Sequence, residues 1–470
     1  MATAFDSITA LVKALEGGST DVAPSKLVQG AALQVEDLSP LMINTSFEDQ
    51  HLKLKKAIKS TPCKSTMPQF DRTLSYGIFG GTAQHEGHVG PEETDDIVRV
   101  THAMAFYSHT RRVTLVSTMV DTVDDVKSDE RAAKSAAKKI AGDIEFDLFR
   151  GKDDFTNNGV FDGHPAYIPS LPNMIGLGAQ IRQSDLQRNS HDLMFAEYGS
   201  DESVVIQGGG SLNQDMIEDA HVRSMMNFGN AETLHVDPKC LSTYNKLAYG
   251  KERIILANSP QGSTGADLRK QFVSNGVVSV EASRFLSGKS QPAPARQDGP
   301  AAPSVVAAAI TVSGVTTAFA IGEVYTYYAT SGNERGESPK SAVSVLTMGA
   351  GDAGKAGRVT ITHPGTGVFR FFNVYRSASG GSAASAKFIG RIVATVGGST
   401  TVFWDLGNKI PGFVTGYLLD DESCEIRQLA PYSRLTLAVT ELSQPQAHFE
   451  FLTLCVTQPR KSVIIENLRG

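Results

Sequence analysis

The chain has 470 residues, 41% of them hydrophobic and 20% charged, with a formal net charge of −6. That length predicts two or three domains of ordinary globular composition, and the mild negative balance excludes a basic surface built to grip nucleic acid by sequence. Cys63, Cys240, Cys424 and Cys455 lie too far apart for zinc spacing and are expected as reduced thiols; no stretch approaches the roughly 18 apolar residues of a membrane span.

Residues 1–60 read as an N-terminal arm: Ser7–Leu15 has the pattern of a short amphipathic helix, and GGSTDVAPSKLVQGAALQ is loop-like. An acidic residue precedes any apolar run, so no secretory leader is expected. From Ser65 to Val120 the chain is β-rich. Val98, Val100, His102, Met104 and Phe106 alternate with Arg99, Thr101, Ala103, Ala105 and Tyr107, the period of one long strand. MPQFDRTLSYGIFGG supplies an earlier strand, and the polar GGTAQHEGHVGPEETDD lies between them. Together they predict an extended, protruding hairpin whose open edges need another chain to cover them.

Ser128–Gly151 is the strongest helical signal. Ala133, Ala137, Ile140, Ile144 and Leu148 fall on one stripe, with Lys134, Lys138, Asp143 and Glu145 largely off it. Ser128 is placed as N-cap, Asp129 and Glu130 suit the positive end of the dipole, and Gly151 is expected to close the helix in a left-handed conformation.

A second helix is expected after Asn213, burying Ile217, Ala220, Ser224 and Phe228 and ending at Gly229. Asp237-Pro238 should open a third, which carries Leu241, Tyr244 and Leu247; 277–286 reads as a strand. At Gly288 the composition breaks into a Pro/Ala/Gly linker, GKSQPAPARQDGPAAPSVVAA. VYTYYATSGNERGESPKSAVSVLT, GRVTITH, FRFFNVYRS, KFIGRIVATV and TVFWDLG then predict short strands of a two-sheet sandwich, with Trp404 in its core. Past Pro411 strands are expected at 435–440, with Leu435, Leu437 and Val439 on one face, and at 449–456.

Motifs with catalytic spelling do not survive their context. Gly349–Lys355 resembles a phosphate loop, but Ala356 stands where Ser or Thr should hold magnesium, and a strand follows. His85-Glu86-Gly87-His88 has the wrong spacing and too much glycine for a zinc helix. Gly208–Gly210 lacks the surroundings of a dinucleotide site, and Asp420, Asp421, Glu422 and Glu425 read as a solvated acidic run. No catalytic residue, cofactor or metal site is expected, and the protein is read as a non-enzyme.

The order of segments resembles the major capsid proteins of tailed bacteriophages, with the Hong Kong 97-type α+β fold. The resemblance is carried by EGHVGPEE, by AAKSAAKKIAGDIEFDLFRG followed by FDGHPAYI, and by GGGSLNQDMIEDAHVRS…HVDPKCLSTYNKL. It implies an arm at 1–60 and a first core segment at 61–290. That segment would hold an extended loop at about 65–120, a spine helix at 128–151 and an axial region at about 160–288. Residues 291–410 would be a linker and an inserted fibronectin type III- or immunoglobulin-like sandwich, and 411–470 the closing strands. Inter-subunit contacts would fall on Tyr76, Phe79, His85, Glu86, His88, Pro91, Glu92 and Glu93. The implied partners are further copies in hexamers and pentamers, portal, scaffolding or decoration proteins, and double-stranded DNA packaged without sequence preference. The implied location is a virion capsid built in a bacterial cytoplasm. An encapsulin-like compartment shares the fold, and a secreted carbohydrate-binding enzyme or adhesin is the alternative from another class. Neither a cleaved propeptide nor a covalent crosslink is expected from these residues.

Overall fold

The computed structural model describes residues 48–75, 83–90, 92, 96–119, 128–151, 173–186, 203–248, 270–287, 299–311, 317–333, 336–365, 367–395, 397–439 and 442–469. The chain divides into two units. The smaller draws its described residues from within Arg112–Lys134 and Ala438–Pro445. There Leu115–Met119 forms one helical turn, and the Leu115 N–H donates to the Leu442 carbonyl at 2.9 Å.

The larger unit is built around a six-stranded mixed sheet. Its strands are β5 (Val205–Gln207), β6 (Thr233–Val236), β7 (Lys270–Val273), β8 (Gly276–Ala282), β16 (Val414–Leu419) and β19 (Val463–Leu468), in the order β5-β19-β16-β6-β8-β7. The central strands are covered on both faces, so they read as mostly apolar runs, VTGYLL and VIIENL, without alternation. The sequence pattern did not mark these two strands, because short runs without alternation carry no period to separate strand from buried helix. The expected strand at 277–286 stops at Ala282 and is followed by a tight turn, Arg284–Leu286.

The long helix α1 runs Ser128–Arg150, as its periodicity predicts. Its buried arc is wider than one stripe: Ala136, Ile140, Ile144, Leu148 and Phe149 are inside, and so are Glu145 and Asp147. Glu145, expected off the apolar stripe, is completely buried. Its carboxylate accepts from the backbone N–H groups of Lys53, Leu54 and Lys55 at 2.9, 2.8 and 2.9 Å, which caps the single turn Leu54–Ala57. Gly151 is not left-handed. A Cβ there would lie 2.3 Å from the Met174 carbonyl, and one on Gly176 would lie 2.6 Å from the Gly151 nitrogen. The two glycines let backbone meet backbone, and the Gly176 N–H donates to the Gly151 carbonyl at 2.7 Å.

A four-stranded sheet, β1-β17-β18-β4, comprises β1 (Lys59–Pro62), β17 (Cys424–Thr436), β18 (Ser443–Val456) and β4 (Ala105–Thr114). The strand expected at 435–440 is therefore the tail of a longer one that ends at Thr436; Leu435, Leu437 and Val439 are exposed. Helix α2 (Leu177–Leu186) ties β18 down through Gln180. Its amide donates to the Leu454 carbonyl at 3.0 Å and accepts from the Val456 N–H at 2.9 Å.

Helix α3 (Gln214–Met226) starts at its predicted cap, with Asn213 Oδ1 accepting from the Met216 N–H at 2.8 Å. Phe228 does not join its buried face: it lies past the helix end at φ +58° and is exposed. Helix α4 (Pro238–Ala248) has Asp237 accepting from the Lys239 N–H at 3.0 Å, buries Tyr244 and leaves Leu247 exposed.

Among the described residues, seven strands lie between 304 and 405. Four, β10 (Val324–Gly332), β11 (Ser344–Thr347), β13 (Phe371–Arg376) and β14 (Lys387–Val393), form one sheet in the order β11-β10-β13-β14. Three, β9 (Ser304–Thr311), β12 (Lys355–Thr362) and β15 (Thr400–Asp405), form the other, β15-β12-β9. Tyr327, Phe372 and Val374 of the first meet Val359, Ile361 and Phe403 of the second in one core. β9 falls in the stretch read as linker, because SVVAAAIT follows so closely on proline and alanine. Trp404 is only half-buried, with the Arg358 guanidinium 5.9 Å from its ring, while its neighbour Phe403 points inward.

Candidate assembly surface

The predicted extended hairpin exists in altered form. β2 (Gln69–Ser75) and β3 (Asp96–Thr101) pair antiparallel, Gln69 opposite Thr101 and Thr73 opposite Ile97, as a two-stranded sheet of their own. The single strand expected from Val98 to Tyr107 is broken at His102–Met104, and β4 continues in the four-stranded sheet. The break shifts the alternation: Met104 and Ala105 are both buried, and Phe106 turns outward. An apolar alternation cannot reveal such a break, since both halves keep a period of two.

Two side chains tie one face of this ribbon to the rest of the chain, His102 at its root and Arg72 partway along it. Arg72 donates from Nε to the Thr457 carbonyl at 2.7 Å and from Nη2 to the Val456 carbonyl at 3.1 Å. Its burial lowers the guanidinium pKa to about 10. His102 is buried, stacks on Phe70 with ring centroids 5.7 Å apart, and donates its backbone N–H to the Pro68 carbonyl at 3.0 Å. Burial drives its pKa down to about 4, so the ring is neutral near pH 7. The other face of the ribbon is open. Asp71 and Arg99 face each other across the strands at 2.8 Å, both exposed, and Ile97 is 57% exposed.

Of the eight loop residues singled out by sequence, Tyr76, Phe79, Pro91 and Glu93 lie outside the described residues. His85, Glu86, His88 and Glu92 are all exposed. The His88 N–H donates to the His85 carbonyl at 3.0 Å and Gly87 takes φ +88°, so HEGH closes a β-turn with a left-handed third position. The two imidazoles sit edge to face at 6.5 Å. Val89 beside them is 93% exposed.

A second sheet edge, open among the described residues, escaped the sequence reading. β7 ends the six-stranded sheet, and its polarity is inverted: Gln271 points inward and bonds the Tyr244 hydroxyl, while Phe272 is 82% exposed. The signal was the aromatic set between polar neighbours in KQFVSNG, which reads equally as a short loop.

The motifs set aside in the sequence take the following places in the fold. Lys355 Nζ is held by Asp352 at 2.8 Å in the turn between β11 and β12. Gly208 donates to the Glu466 carbonyl at 2.8 Å and is part of the β5 edge. Asp420 caps the turn Asp421–Ser423. Among the described residues, no three His, Cys, Asp or Glu side chains gather to hold a metal ion, and no helix is long and apolar enough to cross a membrane. Cys240, Cys424 and Cys455 are buried, and burial pushes each thiol up to about 12.

No family model and no curated protein matches the sequence. Solved structures do align over nearly the whole chain. A chain from the capsid of a native GTA particle is 9% identical, over 96% of this chain and 100% of its own, with a TM-score of 0.48. The capsid of the cyanophage P-SCSP1u is 8% identical over 94% and 95%, at 0.44. The holo-SrpI encapsulin complex from Synechococcus elongatus is 6% identical over 91% and 92%, at 0.40.

Proposed function

We propose that this chain is the major capsid protein of a tailed double-stranded DNA bacteriophage, assembling with copies of itself into hexamers and pentamers of an icosahedral shell. One observation carries the reading: the β2–β3 ribbon is anchored on one face by Arg72 and His102, yet among the described residues it pairs with no third strand and exposes Ile97 and residues 83–90. An isolated two-stranded ribbon is marginal in water and gains stability when another surface covers it. The outward Phe272 of edge strand β7 supports a second contact of the same kind. Portal, scaffolding or decoration proteins would meet the assembled shell, not the lone subunit.

In this reading residues 291–410 are an inserted fibronectin type III- or immunoglobulin-like module. Its seven strands, two sheets and absence of cysteine favour the disulfide-free variant. The module belongs on the outer face, where it does not compete with the genome for volume. The net charge of −6 suits a wall that encloses DNA without condensing on its phosphates. Electron microscopy of the chain expressed alone should show closed shells or capsomer rings, and deletion of 300–407 should preserve them. A monodisperse monomer at assembly concentrations overturns the proposal. Particles that carry an enzyme cargo and no DNA would assign it to the encapsulin-like alternative.

A further inference from the structure

Where the two-sheet region meets the six-stranded sheet, a cavity of about 40 Å³ opens between Phe146 and Arg150 of α1, Phe388 and Arg391 of β14, Lys409 and Glu466. On this measure a water needs roughly 10–15 Å³, so the space admits a few heavy atoms. Three of these six side chains are cationic, and the one carboxylate is already committed. Glu466 accepts from Arg182 Nε at 2.6 Å through one oxygen and from Gln207 Nε2 at 2.6 Å through the other.

We propose that this cavity binds a small oxyanion, of phosphate or carboxylate chemistry, between the guanidinium groups of Arg150 and Arg391. Arg391 is held in place for such a role: its Nε donates to Asn373 Oδ1 at 2.8 Å, and the rings of Phe371 and Phe146 lie 4.0 and 4.8 Å from its guanidinium carbon. Arg150 donates through Nη2 to the Leu286 carbonyl. Among the described residues, neither arginine has a carboxylate within 4.0 Å. Glu337, Asp143 and Asp147 act on Arg391, and Asp237 on Arg150, only from beyond that distance, so an oxyanion accepting from both guanidinium groups offsets part of the cost of burying them. Burial lowers the pKa of both groups; at Arg391 the charge of Glu337 counters that fall, and the charge of Arg150 adds to it.

Isothermal titration of the full chain with sodium phosphate, at ionic strength held constant with chloride, tests the site. Saturable binding near one per chain is expected, with acetate weaker than phosphate because it carries less charge. Arg391→Gln should weaken phosphate binding about tenfold or more, the loss expected of a charge-assisted hydrogen bond. Lys409→Gln, which leaves the Arg391 stack intact, should weaken it by less. If Arg391→Gln does not fold, the wild-type titration and Lys409→Gln still decide. Absence of saturable heat, or variants that bind like the wild type, overturns the proposal. Acetate binding more tightly than phosphate would reassign the ligand to a carboxylate, including one borne by another protein chain. The site rests on the cavity alone, so its failure leaves the assembly reading untouched, and the reverse holds too.

Discussion

In the six-stranded sheet every residue of β19 is buried, and even its charged member is answered: Glu466 meets Arg182 at 2.6 Å with side-chain exposures of 3% and 0%. In the β2–β3 ribbon the corresponding pair, Asp71 and Arg99, lies in solvent at 2.8 Å beside an exposed isoleucine. The same chain thus contains one region that buries its ion pair among apolar side chains and another that leaves both kinds of group open. A buried pair depends on both partners, whereas an exposed pair in high dielectric is worth little and serves orientation. On the proposed assembly reading, the sheet holds the fold and the ribbon is kept for contact.

The largest effect should come from the sheet. Arg182→Met leaves Glu466 charged and uncompensated in the interior, and should cost about 3–5 kcal/mol in chemical denaturation. Asp71→Ala and Arg99→Ala should leave the unfolding midpoint unchanged. Equal losses from both pairs would break the comparison.

The interior should also show itself in pH. Asp147, on α1, accepts from the Tyr107 hydroxyl at 2.7 Å, and burial raises its pKa from 3.8 to about 7, with Asp143 adding to the rise. The folded chain therefore keeps a proton that the unfolded chain releases. Its contribution to stability is full below about pH 4, declines as pH rises to about 7, and is flat beyond. Asp147→Asn should remove that slope, by about 1.4 kcal/mol per pH unit at most. An unchanged pH profile would contradict the assignment. Smallest for the lone chain is Ile97→Asp on the ribbon, which should not move its melting temperature but should lower the yield of assembled particles.

How far the fold was readable follows the same division. The helix Ser128–Arg150 was plain because 3.6-residue periodicity persists over its length, and the caps at Asn213 and Asp237 were plain because their chemistry is local. Glu145 was misplaced: a carboxylate is buried only when three amides from distant residues 53–55 come to it, and nothing near 145 announces them. β16 and β19 lacked a period, and β9 was hidden by the prolines before it. Arg72 and Phe272 were missed for a related reason, since the carbonyls of 456–457 and the edge position of β7 are products of the fold. The exposed His85–Glu92 stretch was readable as loop from its glycines and charges.

Hydrogen exchange of residues 69–75 and 96–101, measured in dispersed chains and again in assembled particles, bears most directly on the open ribbon. Amides on its outer edges should exchange quickly in the dispersed chain and become protected on assembly, while those of β19 stay protected in both. Equal protection of the ribbon in both states would contradict the account.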